Sequence, residues 1–199
     1  SADGYFNQTF VRGDSFVLIN PALLKPETVI GKTNDTIIMD LKSNWTDIRK
    51  HFNKCFRTNF HVAIASVDRE NNPTVTPIGS LFLNNNQTGF YFEKFPQKLS
   101  EHAKFNKNIC ILAVNSNTWF WLTSLFRGQF KNYPAIKLYG QVGDKRKATD
   151  IEIQRLNSRM KTTKWLQGNN YLWGKMDFVR DITFTKAEKI NLGKMTETL

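Results

Sequence analysis

The chain has 199 residues, 40% of them hydrophobic and 23% charged, with 16 Phe, 5 Trp and 5 Tyr, which is enough apolar material for one folded domain and excludes global disorder. No run approaches the roughly 18 apolar residues of a membrane span, and the N-terminus lacks the basic-then-apolar pattern of a secretory signal, so a soluble, cytoplasmic protein without a membrane partner is expected. The net charge is +11, and 14 Lys or Arg against 4 Asp or Glu fall between Lys94 and Lys164, which predicts one strongly positive surface.

Ser1 to Asp40 carries scattered apolar residues and turn signals without a sustained period, and reads as an N-terminal arm ahead of a domain over residues 41–199. From Asn44 to Arg57, Trp45, Ile48, Phe52 and Cys55 recur on one helical face, with Ser43 or Asn44 as the N-cap. Three β-type runs follow. His61–Asp68 is Val- and Ile-rich, and Thr74–Leu83 is a strand interrupted by Pro77 and Gly79. Phe90–Phe95 is aromatic and alternating. Polar turns separate the three.

A short helix opens after Pro96 and runs over Gln97–Asn106, and Ile109–Val114 is a fully apolar strand. Asn115–Tyr133 holds Trp119, Phe120, Trp121, Leu125, Phe126 and Phe130, too apolar for a free loop, and is expected against a ligand or a second subunit. Ala135–Val142 alternates as a strand. Thr149–Lys161 reads as a helix with a Thr149/Glu152 capping box and a buried stripe of Ile153, Leu156 and Met160. Lys175–Phe184 is the last strand. About six strands joined by short turns, with helices at the sides and no β-α alternation, predict a mostly β (α+β) fold, a six-stranded antiparallel split β-barrel.

The chemistry resides in Thr74–Lys98. A strand broken by Pro77 and Gly79 leaves backbone groups open to a flat ligand with donors and acceptors on its rim. Lys94, Gln97 and Lys98 flank a helix start, where free amides and lysine charge favour a phosphate. Cys55 and Cys110 do not cluster with His51, His61 or His102, so no metal site and no disulfide scaffold are expected. No Ser-His-Asp or Cys-His arrangement is visible, and the catalytic residues are left unknown.

The run HVAIASVDRENNPTVTPIGSLFLNNNQTGFYFEKFPQKLSEHAKFNKNICILAV resembles the core of the pyridoxamine 5′-phosphate oxidase-like FMN-binding split barrels, and the resemblance continues through AIKLYGQVGDKR and YLWGKMDFVRDITF. It spans roughly Phe60 to Leu192, about two thirds of the chain. The resemblance implies an FMN-binding oxidoreductase working as a homodimer. It places Pro77, Ile78, Gly79 and Ser80 beside the flavin ring, Glu93, Lys94 and Phe95 on its other side, and Gln97 and Lys98 at the phosphate. Trp173 matches the family's Trp-Gly pair near the cofactor. The Gln97-Lys98-Leu99 run departs from the family's Ser-Arg-Lys, and the Arg-rich set of true pyridoxamine phosphate oxidases is not recognisable, so that substrate is not predicted. The alternative is a flavin or haem holder on the same barrel without turnover, and FMN is not separable from a deazaflavin at this level. A nucleic-acid-binding barrel, suggested by the basic segment and its aromatics, ranks below both.

Overall fold

The computed structural model describes residues 11–12, 15–16, 36–94, 97–161, 174 and 176–199. Two compact units emerge, Ser1–Thr33 and Asn34–Leu199. In the first, β1 (Val11–Arg12) pairs antiparallel with β2 (Ser15–Phe16).

In the second unit, β3 (Thr36–Met39) leads into α1 (Leu41–Asn59). Asp40 caps α1 by accepting from the Ser43 amide at 2.7 Å, so the helix starts earlier than Ser43 or Asn44 would set it. Trp45, Ile48, Phe52 and Cys55 are its buried residues, as the spacing predicts. The strands are β4 (Val62–Val67), β5 (Pro73–Ile78), β6 (Leu81–Leu83), β7 (Thr88–Phe92), β8 (Asn108–Val114), β9 (Ala135–Lys147) and β10 (Phe178–Ile190). The helices between them are α2 (Gln97–His102), α3 (Thr118–Arg127) and α4 (Asp150–Met160).

One antiparallel sheet of eight strands runs β5-β4-β8-β9-β10-β7-β6, with β3 added to the far half of β10. The fold is the expected split barrel, with more strands than six. Short, weakly patterned β3 escapes a periodicity reading, and the interrupted segment counts as two strands. Both ends of the sheet, β5 and β6, are consecutive in the chain and separated only by Gly79–Ser80. The sheet therefore curls until one stretch of chain turns the corner between its two edges. Buried Ser80 holds that corner by donating from Oγ to the Phe92 carbonyl at 3.1 Å.

The interior cluster joins the α1 face to Ile64, Tyr91, Ile111, Leu138, Ile182 and Phe184. Outside the sheet, Phe82, Phe90, Phe92 and Val179 meet Leu156 of α4 in a second cluster. Alternation along β7 divides the two, Tyr91 inward and Phe90 and Phe92 outward. Gly89 and Gly140 allow Phe184 to lie close. A Cβ on Gly140 would come within 2.5 Å of the Thr183 carbonyl and 3.2 Å of the Phe184 ring. Phe184 in turn tilts against Trp45, ring centroids 5.5 Å apart.

The capping box on α4 forms as read, Thr149 accepting from the Glu152 amide and Glu152 accepting from the Thr149 amide at 2.8 Å. Glu152 also takes both Arg146 terminal nitrogens, at 2.7 and 2.9 Å, and Arg146 reaches on to Asp181. The Arg146 hydrogen bond is the main cause that holds the Glu152 carboxyl below its ordinary value.

Two outcomes follow from these contacts. Gly140→Ala should cost about 1–3 kcal/mol in a denaturant titration, because backbone on the facing strand must move to admit a methyl group. A depressed carboxyl stabilises the fold above its unfolded-state pKa and loses that contribution as pH falls through the folded value. Glu152→Gln should therefore lower stability by about 1 kcal/mol at pH 7, a figure discounted for the part-exposed Arg146. Melting curves of variant and wild type should converge on acidification, and a constant gap from pH 7 to pH 3 would contradict this.

Candidate functional site at the open edge of the barrel

Strand β6 has a neighbour on one side only, β7. Its free side carries outward carbonyls that α4 covers with two guanidinium groups. Arg159 Nη1 donates to the Leu81 carbonyl at 2.6 Å and to the Gly79 carbonyl at 3.3 Å. Arg155 Nη2 donates to the Leu83 carbonyl at 3.1 Å, and its Nη1 to Asn84 Oδ1 at 2.7 Å. Alternate carbonyls at 79, 81 and 83 thus point the same way. In an antiparallel strand a residue's amide shares the side of its carbonyl, so the Leu81 and Leu83 amides face this edge too.

Aromatic faces floor the same place. The Arg159 guanidinium sits 3.6 Å from the Phe82 ring centroid and 4.4 Å from that of Phe56 on α1. Arg155 lies 5.2 Å from Phe82 and 5.0 Å from Phe90. Neither arginine has a carboxylate partner among the described ion pairs, since Glu152 is engaged by Arg146. Burial, with Arg155 alongside, pulls Arg159 down to about 10. Burial and then nearby Arg49 lower Arg155. Arg155 and Arg159 nonetheless stay cationic, as guanidinium groups do in proteins. A half-desolvated positive edge with backbone donors and aromatic walls is suited to a flat ligand bearing carbonyl or anionic groups.

The sequence-predicted residues divide around this edge. Gly79 and Ser80 form its corner. Pro77 is exposed within β5 opposite Ala63, and Ile78 is buried in the interior cluster. Glu93 is buried and accepts from Arg180 Nε at 2.6 Å, with Lys145 Nζ 3.4 Å from its other oxygen. Arg180 also donates to the Gly143 carbonyl and to Ser100 Oγ. The Glu93–Arg180 pair therefore locks β7 to β10 and α2 inside the barrel. Burial and the Glu93 charge push the Tyr91 phenol up, and its hydroxyl has no hydrogen-bond partner. Lys94 Nζ donates to the Gly174 carbonyl at 2.5 Å, while Gln97 and Lys98 are exposed on the first turn of α2. Phe95 and Trp173 lie outside the described residues.

Arg49, Arg155 and Arg159 were not singled out from the sequence. Their signal was present in part, as Arg155 and Arg159 recur at i and i+4 beside the buried stripe of α4. The thiols are quiet. Burial pushes Cys55 up to about 12, and it sits 3.3 Å from His51 Nε2, which itself contacts the Ala113 carbonyl at 3.0 Å. His102 meets Ser66 at 3.0 Å. No group of three or more metal-binding side chains occurs among the described residues. No described helix is long and apolar enough to cross a membrane.

No protein-family model matches the chain, and no curated protein does. Solved structures do. An FMN-binding protein from Syntrophomonas wolfei is 13% identical, with a TM-score of 0.51 over 76% of this chain and 95% of its own. A candidate pyridoxamine 5′-phosphate oxidase from Lactobacillus delbrueckii is 17% identical over 69% of this chain and 89% of its own, TM-score 0.42. The haem storage protein HutZ from Vibrio cholerae is 13% identical over 78% and 93%, TM-score 0.42. At these identities the likeness is one of fold, carried by the Syntrophomonas wolfei protein.

Arg159→Met keeps much of the side-chain volume and removes the donors to Gly79 and Leu81. Amide hydrogen exchange over residues 79–83 should accelerate at least about tenfold while the β8–β9 ladder keeps its protection. Unchanged protection at 79–83 would mean the arginine does not hold the edge.

Proposed function

We propose that this chain binds FMN, or a related flavin, at the open edge of β6 and acts as a flavin-dependent oxidoreductase in a homodimer. One observation carries the reading: a strand edge at Gly79–Leu83 with no neighbouring strand, whose outward face combines backbone groups, the rings of Phe56 and Phe82, and arginines without carboxylate partners among the described residues. The donor set fits the group. Backbone amides suit the carbonyl rim of an isoalloxazine, a desolvated guanidinium favours its electron-rich pyrimidine end, and Lys98 on the exposed turn of α2 offers charge to a phosphate.

When bound, the flavin supplies the redox chemistry. The chain's own residues do the positioning. The Ser80–Phe92 bond fixes the corner, and the Glu93–Arg180 pair keeps β7 in place behind the edge. Arg155 and Arg159 hold the carbonyl edge and set the positive potential above it. A holder without turnover is the second reading, favoured by the lack of an acid-base pair among the described residues along this edge.

Purified protein, or protein mixed with FMN and desalted, should absorb at about 450 nm with one flavin per chain. Colourless protein that takes up no FMN would sink the proposal. Arg155→Gln and Arg159→Gln should each weaken FMN about tenfold or more while leaving the fold intact by circular dichroism. Bleaching of the bound flavin by NADH or NADPH separates an oxidoreductase from a holder. Light scattering behind a sizing column reads the mass, and a strict monomer would remove the dimer from the reading.

A further inference from the structure

Helix α3 is turned the wrong way for a surface helix. Its inward side carries buried Ser124, which donates from Oγ to the Phe120 carbonyl at 2.6 Å, with Phe120 and Trp121 packing on Phe130 at centroid distances of 5.3 and 5.2 Å. Its outward side is apolar. Trp119 is 74% exposed, Leu122 53%, Leu125 61% and Phe126 94%. Steps of three and four residues put Trp119, Leu122 and Phe126 on one stripe, with Leu125 at its border and no charged side chain within it. A fixed geometry presents this stripe. Asn117 caps the start by accepting from the Phe120 amide at 2.9 Å, and Gly128 closes the end in the left-handed conformation, φ 68°. An exposed apolar face of this size on a folded helix marks something that covers it.

The surrounding charge says what. Lys54 of α1 stands 5.2 Å over the Phe120 ring, and Arg127 and Lys131 are exposed at the C-terminal end of α3. From Glu101 to Asp144 the chain has no acidic residue between, and none between Asp47 and Asp68. Glu197 is the acid in the turn tied to Phe130, and Lys194 lies three residues before it. A second copy meeting this face about a twofold axis would bring the same basic rim, with Glu197 as the acid it has to answer those cations. An anionic lipid surface meets the same rim with opposite charge and takes Trp and Phe side chains into its interfacial layer.

We propose that α3 is a peripheral membrane-docking helix, inserting Trp119, Leu122 and Phe126 into an anionic bilayer surface while Lys54, Arg127 and Lys131 meet lipid phosphates. The inference is independent of any flavin, and it departs from the expectation, drawn from the absence of a spanning segment, that no membrane is a partner.

The test is co-sedimentation of the full chain with vesicles of phosphatidylcholine alone and with phosphatidylglycerol added. Wild type should pellet with the anionic vesicles, bind the neutral ones at least about tenfold less, and release as salt rises. Lipids brominated near the headgroup should quench part of the tryptophan fluorescence, and Trp119→Phe should remove most of that quenching. Leu122→Ser with Phe126→Ser should lower binding about tenfold or more, with melting temperature checked to show the fold is kept. Arg127→Gln with Lys131→Gln leaves the apolar stripe untouched and should lower binding to anionic vesicles only. No binding by folded wild type overturns the proposal. So does a drop in solution mass for the Leu122→Ser, Phe126→Ser protein, which would make α3 a contact between copies.

Discussion

The structure turns on how a curled sheet ends. Eight strands wind around one interior, and the last must either pair with the first or leave a row of unpaired groups. Here the two terminal strands are neighbours in sequence, joined at Gly79–Ser80, yet they do not pair as a hairpin and the barrel stays split. The corner turns one strand out of line with the other and leaves β6 with an open side. Two arginines of α4 take the position that a strand would have held, bonding carbonyls at alternate residues. The molecule's most distinctive surface is thus a consequence of its topology.

Using arginine for this has an electrostatic result. A strand would have covered the edge with neutral amides, whereas guanidinium groups cover the carbonyls and leave net positive charge behind. Desolvation lowers both arginines, most for Arg159, and the rings of Phe56, Phe82 and Phe90 recover part of that cost through their negative faces. The Glu93–Arg180 pair is the opposite arrangement a few residues away. There the charge is neutralised inside the barrel, and the result is a brace with no excess potential. Arg180 is answered by a carboxylate, whereas Arg155 and Arg159 bond neutral oxygens that leave their charge in place.

Much of the architecture was legible because it rests on period and local chemistry. The α1 face of Trp45, Ile48, Phe52 and Cys55, the Thr149–Glu152 capping box, and the interruption before Leu81 were all readable from neighbours in sequence. What was not legible depends on distant residues. Helix α3 hides because its apolar residues surround the helix axis, so no single face stands out until Phe130 and the C-terminal turn select one. Strand β3 hides because its four residues form a strand only against Ala187–Ile190. Strands β9 and β10 run longer than read, since their polar halves gain order from each other's ladder and bulges rather than from alternation. At the site, Gly79 and Ser80 were found from their local signal. Arg155 and Arg159 were not, because their role exists only once α4 crosses an edge more than 70 residues earlier in the chain.

The formal charge of the chain reads differently once each cation is placed. Between Lys94 and Lys164 the sequence counts an excess of ten positive charges, and such a block suggests one continuous electropositive patch. In the fold this block does not act as one. Arg146 is neutralised by Glu152 and Asp181, Lys107 by Asp144, and Lys145 leans toward buried Glu93. Two groups of described cations stand outside those pairs in contrasting settings, the guanidinium pair over the β6 edge and the cations beside α3. Their surroundings differ in kind. The first combines aromatic faces with the outward backbone groups of a strand edge, a setting suited to a flat ligand. The second is convex and ringed around an apolar stripe, a shape that grips no small molecule but matches an extended surface. The same excess of charge can therefore serve two unrelated kinds of recognition, separated by local shape rather than by composition.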